Sequence, residues 1–549
     1  MLTRFAVLAA YFVIVLFLGM LAKSRLKDTP ANYFLAGRGL SFLVLLGTMA
    51  ATNFSAFTVF GASGAGYRDG LAFFPIMGFG TGFMALTFWV VGRKVWRLGR
   101  RHELVTPAEL VGQIYRHKGL TALFALVMVV FTIPYLALQP LAGGKVIGQL
   151  FHQPPWVGAT LVTFIILLYT LRGGLKAVAW TDIFQGLLML TLMIVALHLV
   201  LSSLGGWDGA FAQVRERFPE LMSRPGAHGR YSPGVWFGFL LLWFFCDPMF
   251  PQLFQRFYAA KNESSLARTA LVYPAICTVV FALPILMGVL GRLVVPDLAG
   301  PAADNVVPLL MTKVAGDFMG TLVLAAGLAA LMSTMDSQLL TLSSIFSRDL
   351  WPLATGDRAE SALVGRVFVA VLALVGLAVA LGSDSTILNL GLTAFTGLAV
   401  LFPTVFFGLY LAKPRPAAAL ASIILGEAAA VGYHFKLLPA FGFLPAVPVI
   451  AVAVAAYLVV HVVQNGVRLI EGEWSGAWYG LGFGAIFLAA QDFWRWNQVG
   501  GVWLGLPGWI WYFVGLSLLQ TLLMGLWFRR TLAAGREPVG VVPPPVPSS

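Results

Sequence analysis

Apolar segments of about twenty residues recur from one end of this chain to the other, and they limit its fold more than any other feature. A segment of that length crosses the hydrocarbon core of a bilayer as an α-helix. Only 11% of the residues are charged, whereas a soluble protein would carry roughly a quarter. The longest polar interval, near residues 204–232, is too short to form a catalytic domain. The pattern predicts an all-α polytopic membrane protein that is not an enzyme.

We expect about fifteen transmembrane helices from the length and spacing of these segments. They lie near residues 3–22, 40–66, 70–92, 119–140, 155–172, 178–203, 233–257, 268–295, 317–347, 363–382, 386–412, 415–434, 444–464, 477–494 and 508–529. Basic residues follow the first segment and do not precede it, so we interpret it as an uncleaved span and not as a signal peptide.

The basic residues, which give the chain a formal net charge of +13, are concentrated in alternate loops. If the amino terminus is outside, the cytoplasmic loops contain Lys23, Arg25, Lys27, Arg38, Arg93, Lys94, Arg97, Arg100, Arg101, Arg172, Lys176, Arg256, Lys261, Arg268, Arg348, Arg358, Arg366, Lys413, Arg415, Arg468, Arg529 and Arg530. The positive-inside rule explains this asymmetry without a nucleic-acid partner. We expect a multi-pass protein of the plasma or inner membrane, with the carboxyl terminus in the cytoplasm.

A face of hydroxyl groups lies within the ninth predicted span. The helical spacing i, i+3, i+4 and i+7 brings together Ala330, Ser333, Thr334 and Ser337. The carboxylate of Asp336 lies at the edge of this face. Polar groups at membrane depth are costly unless they meet a partner, an ion or water, so this face is predicted to bind a hard cation or to line its path.

The second and seventh predicted spans are interrupted by residues that do not continue a helix. The second contains small and polar residues from Gly47 to Ser55, and the seventh contains Asp247, Pro248 and Pro251. Proline removes a backbone donor and breaks the helix, and the freed backbone groups are expected to line a cavity. The breaks lie five spans apart, as expected for two five-helix repeats that each begin with a discontinuous helix.

Four motifs in these regions resemble those of the sodium:solute symporter family, which includes proline, pantothenate, sialic acid and sugar symporters. The motifs are Ala51-Thr52-Asn53-Phe54-Ser55, Arg172-Gly173-Gly174-Leu175-Lys176-Ala177-Val178-Ala179-Trp180-Thr181-Asp182-Ile183-Phe184-Gln185, Gln255-Arg256-Phe257 and Ser333-Thr334-Met335-Asp336-Ser337. The resemblance implies a leucine-transporter-like core of 5+5 inverted repeats, with one extra helix before it and further helices after it.

The same resemblance divides the chain into three parts. The symporter domain is expected over residues 1–465, with its repeats at about 40–203 and 233–412. An additional membrane hairpin follows at 466–530. The last part, 531–549, ends in a proline-rich run that is typical of a disordered cytoplasmic tail.

A primary sodium site is implied at the junction of the second and ninth spans. An unwound helix supplies carbonyl oxygens that suit a hard cation and carry no formal charge. The alternative role of the hydroxyls is packing or hydrogen bonding within the membrane. The implied ligands are the carbonyls of Ala51, Phe54 and Ala330 and the hydroxyls of Ser333 and Thr334.

A second sodium site occurs in some members of the family. Its residues here would be Asp182, Ser333, Asp336 and Ser337. Asp182 with Gln185 also resembles a capping pair at a helix start, and Asp336 has the alternative of pairing with a base near the cytoplasmic end.

The central cavity of the family corresponds here to residues near the two breaks. Asp247 is expected to bind a cationic or hydroxyl-rich solute that Trp243 covers, or to cap the helix that restarts at Pro248. Interhelical hydrogen bonding is the alternative role of the other candidates. No arginine is expected at mid-membrane in these spans. The remaining substrate candidates are Asn53, Ser55, Thr58, Tyr135 and Gln139.

These features predict a secondary active symporter that couples sodium entry to import of a small organic solute by alternating access. Sodium is the co-transported ion, and the solute, sodium and the bilayer are the expected partners. A proton-coupled carrier of the same fold, a non-transporting membrane sensor and a channel are the alternatives.

Overall fold

The computed structural model describes residues 1–21, 29–356, 362–466, 477–496 and 500–534, and nearly all of them are helical. The α-helices in chain order are α1 (Leu2–Leu21), α2 (Pro30–Leu35), α3 (Phe42–Asn53), α4 (Ala62–Asp69), α5 (Phe73–Val90), α6 (Gly92–His102), α7 (Pro107–Tyr115), α8 (Lys118–Phe151), α9 (Pro155–Ser203), α10 (Gly206–Arg217), α11 (Pro233–Cys246), α12 (Pro251–Ala259), α13 (Glu263–Val294), α14 (Val306–Val314), α15 (Asp317–Ile345), α16 (Trp351–Thr355), α17 (Ala362–Leu381), α18 (Ile387–Val400), α19 (Phe402–Tyr410), α20 (Pro416–His434), α21 (Ala446–Asn465), α22 (Ala477–Ala489) and α23 (Gly508–Ala534). Short 3₁₀ or π turns cover Ala36–Arg38, Phe57–Gly61, Pro219–Met222, Ala227–Gly229, Asp247–Met249, Gly300–Asn305, Phe346–Leu350 and Phe493–Arg495. Strands β1 (Val502–Trp503) and β2 (Leu506–Pro507) form one antiparallel ladder.

The described residues contain 11 helices that are long and apolar enough to cross a membrane, or 13 spans if each of two bent pairs is one span. The other two predicted spans correspond to shorter helices, Pro155–Thr170 and the 13-residue α22. Every predicted span is therefore helical, and the multi-pass character is confirmed. The basic residues at 23, 25, 27, 358 and 468 and the tail at 535–549 lie outside the described residues.

Both predicted breaks are present. Helix α3 ends at Asn53, the backbone of Phe54 is extended (φ −85°, ψ 90°), and the chain continues at an angle of 57°. Helix α11 and the turn after it are followed by α12 at an angle of 55°. Phe250 is extended there (φ −60°, ψ 121°), and Pro251 begins α12, where the missing proline amide costs no helical hydrogen bond.

The long helix α9 contains a third, sharper interruption at Gly174. This residue has φ 68° and ψ 174°, and a Cβ added there would lie 2.9 Å from the ring of Tyr33. Only glycine adopts this backbone region readily. Gly174 therefore separates the fifth predicted span from the sixth, which contains Asp182.

The two broken helices lie in the interior of the bundle. Helix α13 packs along α4 and α5, α15 packs along α8 and α9, and α3 contacts α9, α13 and α15. The breaks consequently face helices that are themselves buried. Their polar residues are shielded from lipid.

The last two helices pack against the same bundle. Helix α23 lies along α5 and α13, and Trp236 of α11 donates from Nε1 to the carbonyl of Ala490 at 3.0 Å. Arg224, in the loop before α11, forms a buried ion pair with Asp492. The carboxyl-terminal hairpin is thus joined to the loop before α11 and to the first half of a broken helix.

Candidate functional site

The hydroxyls of Ser333 and Thr334 contact the end of α3. Ser333 Oγ donates to the carbonyl of Ala51 at 2.9 Å and to that of Ala330 at 3.1 Å. Thr334 Oγ1 donates to the carbonyls of Thr52 at 2.9 Å and Ala330 at 3.2 Å. The last carbonyls of a helix have no partner within it, and here the break leaves them available to α15.

The predicted primary set is therefore largely brought together. Ala51, Ala330, Ser333 and Thr334 are linked by hydrogen bonds and are all at most 2% exposed. Phe54 follows at the start of the break. The carbonyl of Thr52 also belongs to this group of oxygens, although the motif pointed only to its neighbours.

Asp182 has a partner that the sequence analysis assigned elsewhere. Arg256 of α12 donates from Nη2 to Asp182 Oδ2 at 2.9 Å, and neither side chain is exposed. Arg256 was expected in a cytoplasmic loop, and this expectation is wrong, because Arg256 lies within α12 and is fully buried. The expectation of no arginine at mid-membrane stays a prediction. The broken seventh span turns α12 into the interior, where the guanidinium meets a carboxylate.

Two hydroxyl residues complete the environment of this ion pair. Thr48 Oγ1 donates to Asp182 Oδ2 at 2.5 Å and accepts from Arg256 Nη2 at 2.8 Å. Ser337 Oγ accepts from the same Nη2 at 2.8 Å. Two members of the predicted second sodium site, Asp182 and Ser337, therefore share one guanidinium. The Gln255-Arg256-Phe257 motif supplies a cation that could have been considered as the partner of Asp182, since a buried carboxylate is costly without one.

The capping role considered for Asp182 and Gln185 is not present. Both residues lie well inside the helical segment that begins at Gly174. Gln185 Nε2 instead donates to the hydroxyl of Tyr11 at 3.1 Å, which joins α9 to α1.

Asp336 forms no ion pair among the residues that the structure describes, so its alternative of pairing with a base is wrong there. Within the described ranges neither of its carboxylate oxygens meets a donor at full hydrogen-bond geometry, although the Tyr169 hydroxyl and the Ser337 amide lie close to it, and the residue is fully buried. Tyr169 and Asp182 lie beside it. This carboxylate is the least satisfied polar group of the hydroxyl face.

The two breaks face each other through Asn53 and Asp247. Asn53 Nδ2 donates to the hydroxyl of Tyr273 at 2.8 Å, and Asp247 accepts from the thiol of Cys246 at 3.3 Å. The exposed fractions of Asn53 and Asp247 are 7% and 3%. The residue at the N-cap of α12 is Phe250, so the capping role considered for Asp247 is wrong.

Gln139 and Ser55 accept hydrogen bonds from the backbone amides that the break of α3 frees. Gln139 Oε1 accepts from the amide of Ala56 at 3.2 Å, and Ser55 Oγ accepts from that of Phe57 at 3.1 Å. Tyr135 lies beside Ser55, whereas Thr58 is buried against α9 and α13 in a small cavity of about 10 Å³. All the predicted substrate candidates except Thr58 therefore converge on the breaks.

Aromatic rings cover this region, and the sequence analysis missed the ring at their centre. Phe395 of α18 lies 5.5 Å from both Phe57 and Trp243, measured between ring centroids. It also lies 5.0 Å from Tyr135 and 5.2 Å from Phe250. Nothing in the local sequence distinguishes Phe395 from other apolar residues of a membrane helix.

The basic end of the bundle is tied by backbone contacts between the two broken helices. The amide of Leu40 donates to the carbonyl of Ala259 at 3.1 Å, and the amide of Lys261 donates to Leu40 at 2.9 Å. Arg100 Nη2 donates to the carbonyls of Arg38 at 2.7 Å and Lys261 at 3.0 Å. Burial, and secondly the charge of Arg100, lowers the pKa of the Arg38 guanidinium. These hydrogen bonds hold the segments around Leu40 and Lys261 together.

The opposite end is held by one buried carboxylate. Asp304 pairs with Arg68 of α4 at 3.1 Å and with Lys145 of α8 at 3.5 Å. Its Oδ2 also accepts from the amide of Ile387, the first residue of α18, at 2.8 Å. Three elements around the site are thereby joined at one side chain.

Comparison with known proteins identifies the family. The model of the sodium:solute symporter family, whose members are transporters, matches residues 33–426. The sodium/pantothenate symporter of Escherichia coli (strain K12) is 30% identical over 82% of this chain and 95% of its own length. The sodium/proline symporter of Staphylococcus aureus (strain JH9) is 28% identical over 77% and 84%.

A solved structure has the same leucine-transporter-like fold. It is a substrate-bound, outward-open Na⁺-coupled sialic acid symporter, with a TM-score of 0.70 and 19% identity over 83% of this chain and 97% of that one. The resemblance on the four motifs and the predicted fold class are confirmed. This chain belongs to the sodium:solute symporter family, and it is a sodium-coupled symporter of a small solute and not an enzyme.

Proposed function

We propose that the co-transported sodium ion binds between the break of α3 and helix α15. The single observation that carries this proposal is the convergence of the Ser333 and Thr334 hydroxyls on the carbonyls at the end of α3. Hydroxyl and carbonyl oxygens suit a hard cation, and a set without a carboxylate leaves the ion releasable. The proposed ligands are the carbonyls of Ala51, Phe54 and Ala330 and the hydroxyls of Ser333 and Thr334.

This site couples the ion to the shape of the protein. The two hydroxyls donate directly to carbonyls of α3 in the structure. A bound ion requires these hydroxyls to rotate so that their oxygens face it. Sodium thereby holds the break against α15 and favours the outward-open arrangement. Its different affinities for the outward-open and inward-open arrangements couple sodium entry to import of the solute.

The solute binds between the two breaks in this proposal. The polar side chains there are almost completely covered by the rings around Phe395, so the rings must separate when the solute enters. Thr58 lies at the edge of this region. The proposed contacts are Asn53, Ser55, Thr58, Tyr135, Gln139, Trp243 and Asp247.

A second sodium ion near Asp182, Asp336 and Ser337 stays a prediction. It requires Arg256 to release Asp182 and Ser337, after which the unpartnered oxygens of Asp336 could complete the ligand set. Sodium and arginine thus compete for the same oxygens in this proposal.

The orientation follows from charge. With the amino terminus outside and the carboxyl terminus in the cytoplasm of a plasma or inner membrane, the basic end that carries Arg38 and Arg100 faces inward, as the positive-inside rule requires. The symporter domain is proposed over residues 1–465, with repeats at about 40–203 and 233–412, followed by the hairpin at 466–530 and the tail.

Substitution of both hydroxyls tests the sodium site. The melting temperature of the purified Ser333→Ala/Thr334→Ala protein is measured at increasing concentrations of sodium chloride, and potassium chloride keeps the ionic strength constant. We expect the sodium concentration that produces half of the rise in melting temperature to increase at least about tenfold, because two of the proposed five ligands are lost. Thr321→Ala is the matched control, since its buried hydroxyl on the same helix bonds only Asp317 of its own helix. An unchanged sodium midpoint in the double variant would refute the site.

Proteoliposomes separate the alternatives to sodium coupling. A sodium gradient without a pH gradient should drive saturable uptake and counterflow of the transported solute. Uptake that follows only a pH gradient would indicate a proton-coupled carrier. A channel would give no counterflow, and a sensor would give no uptake.

A further inference from the structure

The most unusual group between the two breaks is the carboxylate of Asp247. It is 3% exposed, and it takes part in none of the ion pairs among the described residues. The polar side chains that face it are Cys246 and Asn53, and Tyr135 and Tyr273 also lie near it. A carboxylate at membrane depth is costly without a cation, so Asp247 is explained if a ligand supplies that cation.

The nearest arginine along the chain does not supply it. Arg256 Nη2 bonds Thr48, Asp182 and Ser337, and its Nη1 donates to the carbonyl of Gln252 at 2.8 Å. Its charge is therefore balanced by Asp182. Asp247 has no cationic side chain paired with it among the described residues.

The two backbone amides that follow the break of α3 are not free to bind an anionic solute. Helix amino termini bind carboxylates through free backbone amides. After the break of α3, however, the amides of Ala56 and Phe57 are taken by Gln139 and Ser55. An anionic group would meet the carboxyl group of Asp247 and no free donor from these two amides.

The apolar walls are aromatic. Phe57, Trp243 and Phe395 form a triangle with centroid separations of 5.8, 5.5 and 5.5 Å. Phe250 and Tyr135 extend it on the other side of Phe395. Trp243 lies one helical turn before Asp247, so both side chains are on the same face of the seventh span. A group of aromatic rings together with a carboxylate is a feature of sites that recognise alkylated ammonium groups.

We infer that the transported solute carries an alkylated ammonium group, which pairs with Asp247 and is enclosed by the rings of Phe57, Trp243 and Phe395. This inference rests on the proposed function, since it assumes that the solute binds between the breaks. Aromatic rings stabilise a methylated ammonium that cannot donate hydrogen bonds, whereas a primary ammonium would lose its hydration there. The solute is therefore a small organic cation or a zwitterion of the betaine type.

A panel of probes tests the charge directly. The melting temperature of the purified protein is measured in sodium chloride with choline, glycine betaine, L-proline, pantothenate or 3,3-dimethylbutan-1-ol, which is the uncharged isostere of choline. We expect choline or glycine betaine to raise the melting temperature and to drive sodium-dependent uptake of the radiolabelled compound. The uncharged isostere and pantothenate should have no effect.

Two variants distinguish charge from shape. Asp247→Asn keeps the size of the side chain, and we expect it to weaken binding of the ammonium compound at least about tenfold. Phe395→Leu removes one ring, and we expect a loss of about five- to thirty-fold. Both variants should retain the sodium midpoint of the unsubstituted protein, which also shows that they are folded.

The outcomes separate this inference from the proposed function. Sodium-driven uptake of pantothenate, or equal responses to choline and its uncharged isostere, would overturn the ammonium assignment and leave sodium symport standing. An unchanged affinity in Asp247→Asn, or no response to any ammonium compound, would also overturn it. Loss of the sodium response itself would count against the proposed function.

Discussion

Arg256 and Asp182 form an ion pair in which neither side chain is exposed, and this pair allows a prediction with a definite magnitude. Arg256→Met leaves a carboxylate without its cation, and Asp182→Asn leaves a guanidinium without its anion. Removing one partner of a buried pair costs about 3–5 kcal/mol. Because both groups are fully buried, solvent screening does not reduce this figure.

The double variant Asp182→Asn/Arg256→Met should be more stable than either single variant. It leaves neither partner of this pair behind as an unpaired charge, and its remaining cost is the loss of hydrogen bonds to Thr48 and Ser337, at about 1 kcal/mol each. The coupling free energy in the cycle should therefore be several kcal/mol, far above the additivity error of about 0.5 kcal/mol.

Thermal unfolding of the four proteins in one detergent measures this order. We expect the unsubstituted protein to have the highest unfolding midpoint, the double variant the next highest, and the two single variants the lowest. We also expect sodium chloride, compared with potassium chloride, to stabilise Arg256→Met more than the unsubstituted protein, because sodium can replace the lost guanidinium at Asp182 and Ser337. If the two single losses simply add in the double variant, the ion pair is not energetically coupled and the reasoning fails.

Three further predictions follow from single positions, each checked by one measurement. Gly174→Ala should destabilise the protein by about 1–3 kcal/mol, seen as a lower melting temperature, because its φ of 68° and its contact with a tyrosine ring exclude a Cβ. Asp304→Asn should weaken the contacts that join α4, α8 and α18. We therefore expect a membrane-impermeant maleimide to label the two native cysteines, both of which are buried, at a higher rate. An unchanged rate would show that this end does not limit opening. Arg224→Met should lower the melting temperature, because it leaves Asp492 buried without its cation and reduces the free energy of unfolding by about 3–5 kcal/mol. Arg217, at the end of α10, is exposed, so Arg217→Met should have little effect.

Local chemistry explains why the helices and breaks were predictable. Hydrophobic length specifies a transmembrane helix because lipid cannot satisfy a backbone that is not helical. The prolines at 248 and 251 and the small polar residues that end at Ser55 favour a break in the helix. Proline alone does not impose one, since α8 and α13 continue through internal prolines. The spacing of Ser333 and Thr334 on one face follows from helix geometry alone, and the structure confirms that this face meets the end of α3.

The partners of the buried charges were less predictable. The sequence reasoning left Asp182 between a sodium ligand and a helix cap, and it assigned Arg256 to a loop because basic residues near a span end normally face the cytoplasm. The angle of 55° between α11 and α12 moves Arg256 inward. Such an angle depends on how the two halves pack against neighbouring helices, which no local pattern encodes.

The sequence by itself determined the membrane class, the positions of the long apolar helices, the positions of the breaks and the residue types that could bind a cation. Each of these depends on residues that are close along the chain. The tertiary structure alone decided that Arg256 pairs with Asp182, that Phe395 lies at the centre of the aromatic rings, and that Asp247 has no cation beside it. These contacts join residues from different helices, and their energies depend on distance and burial, which are set only when the helices pack.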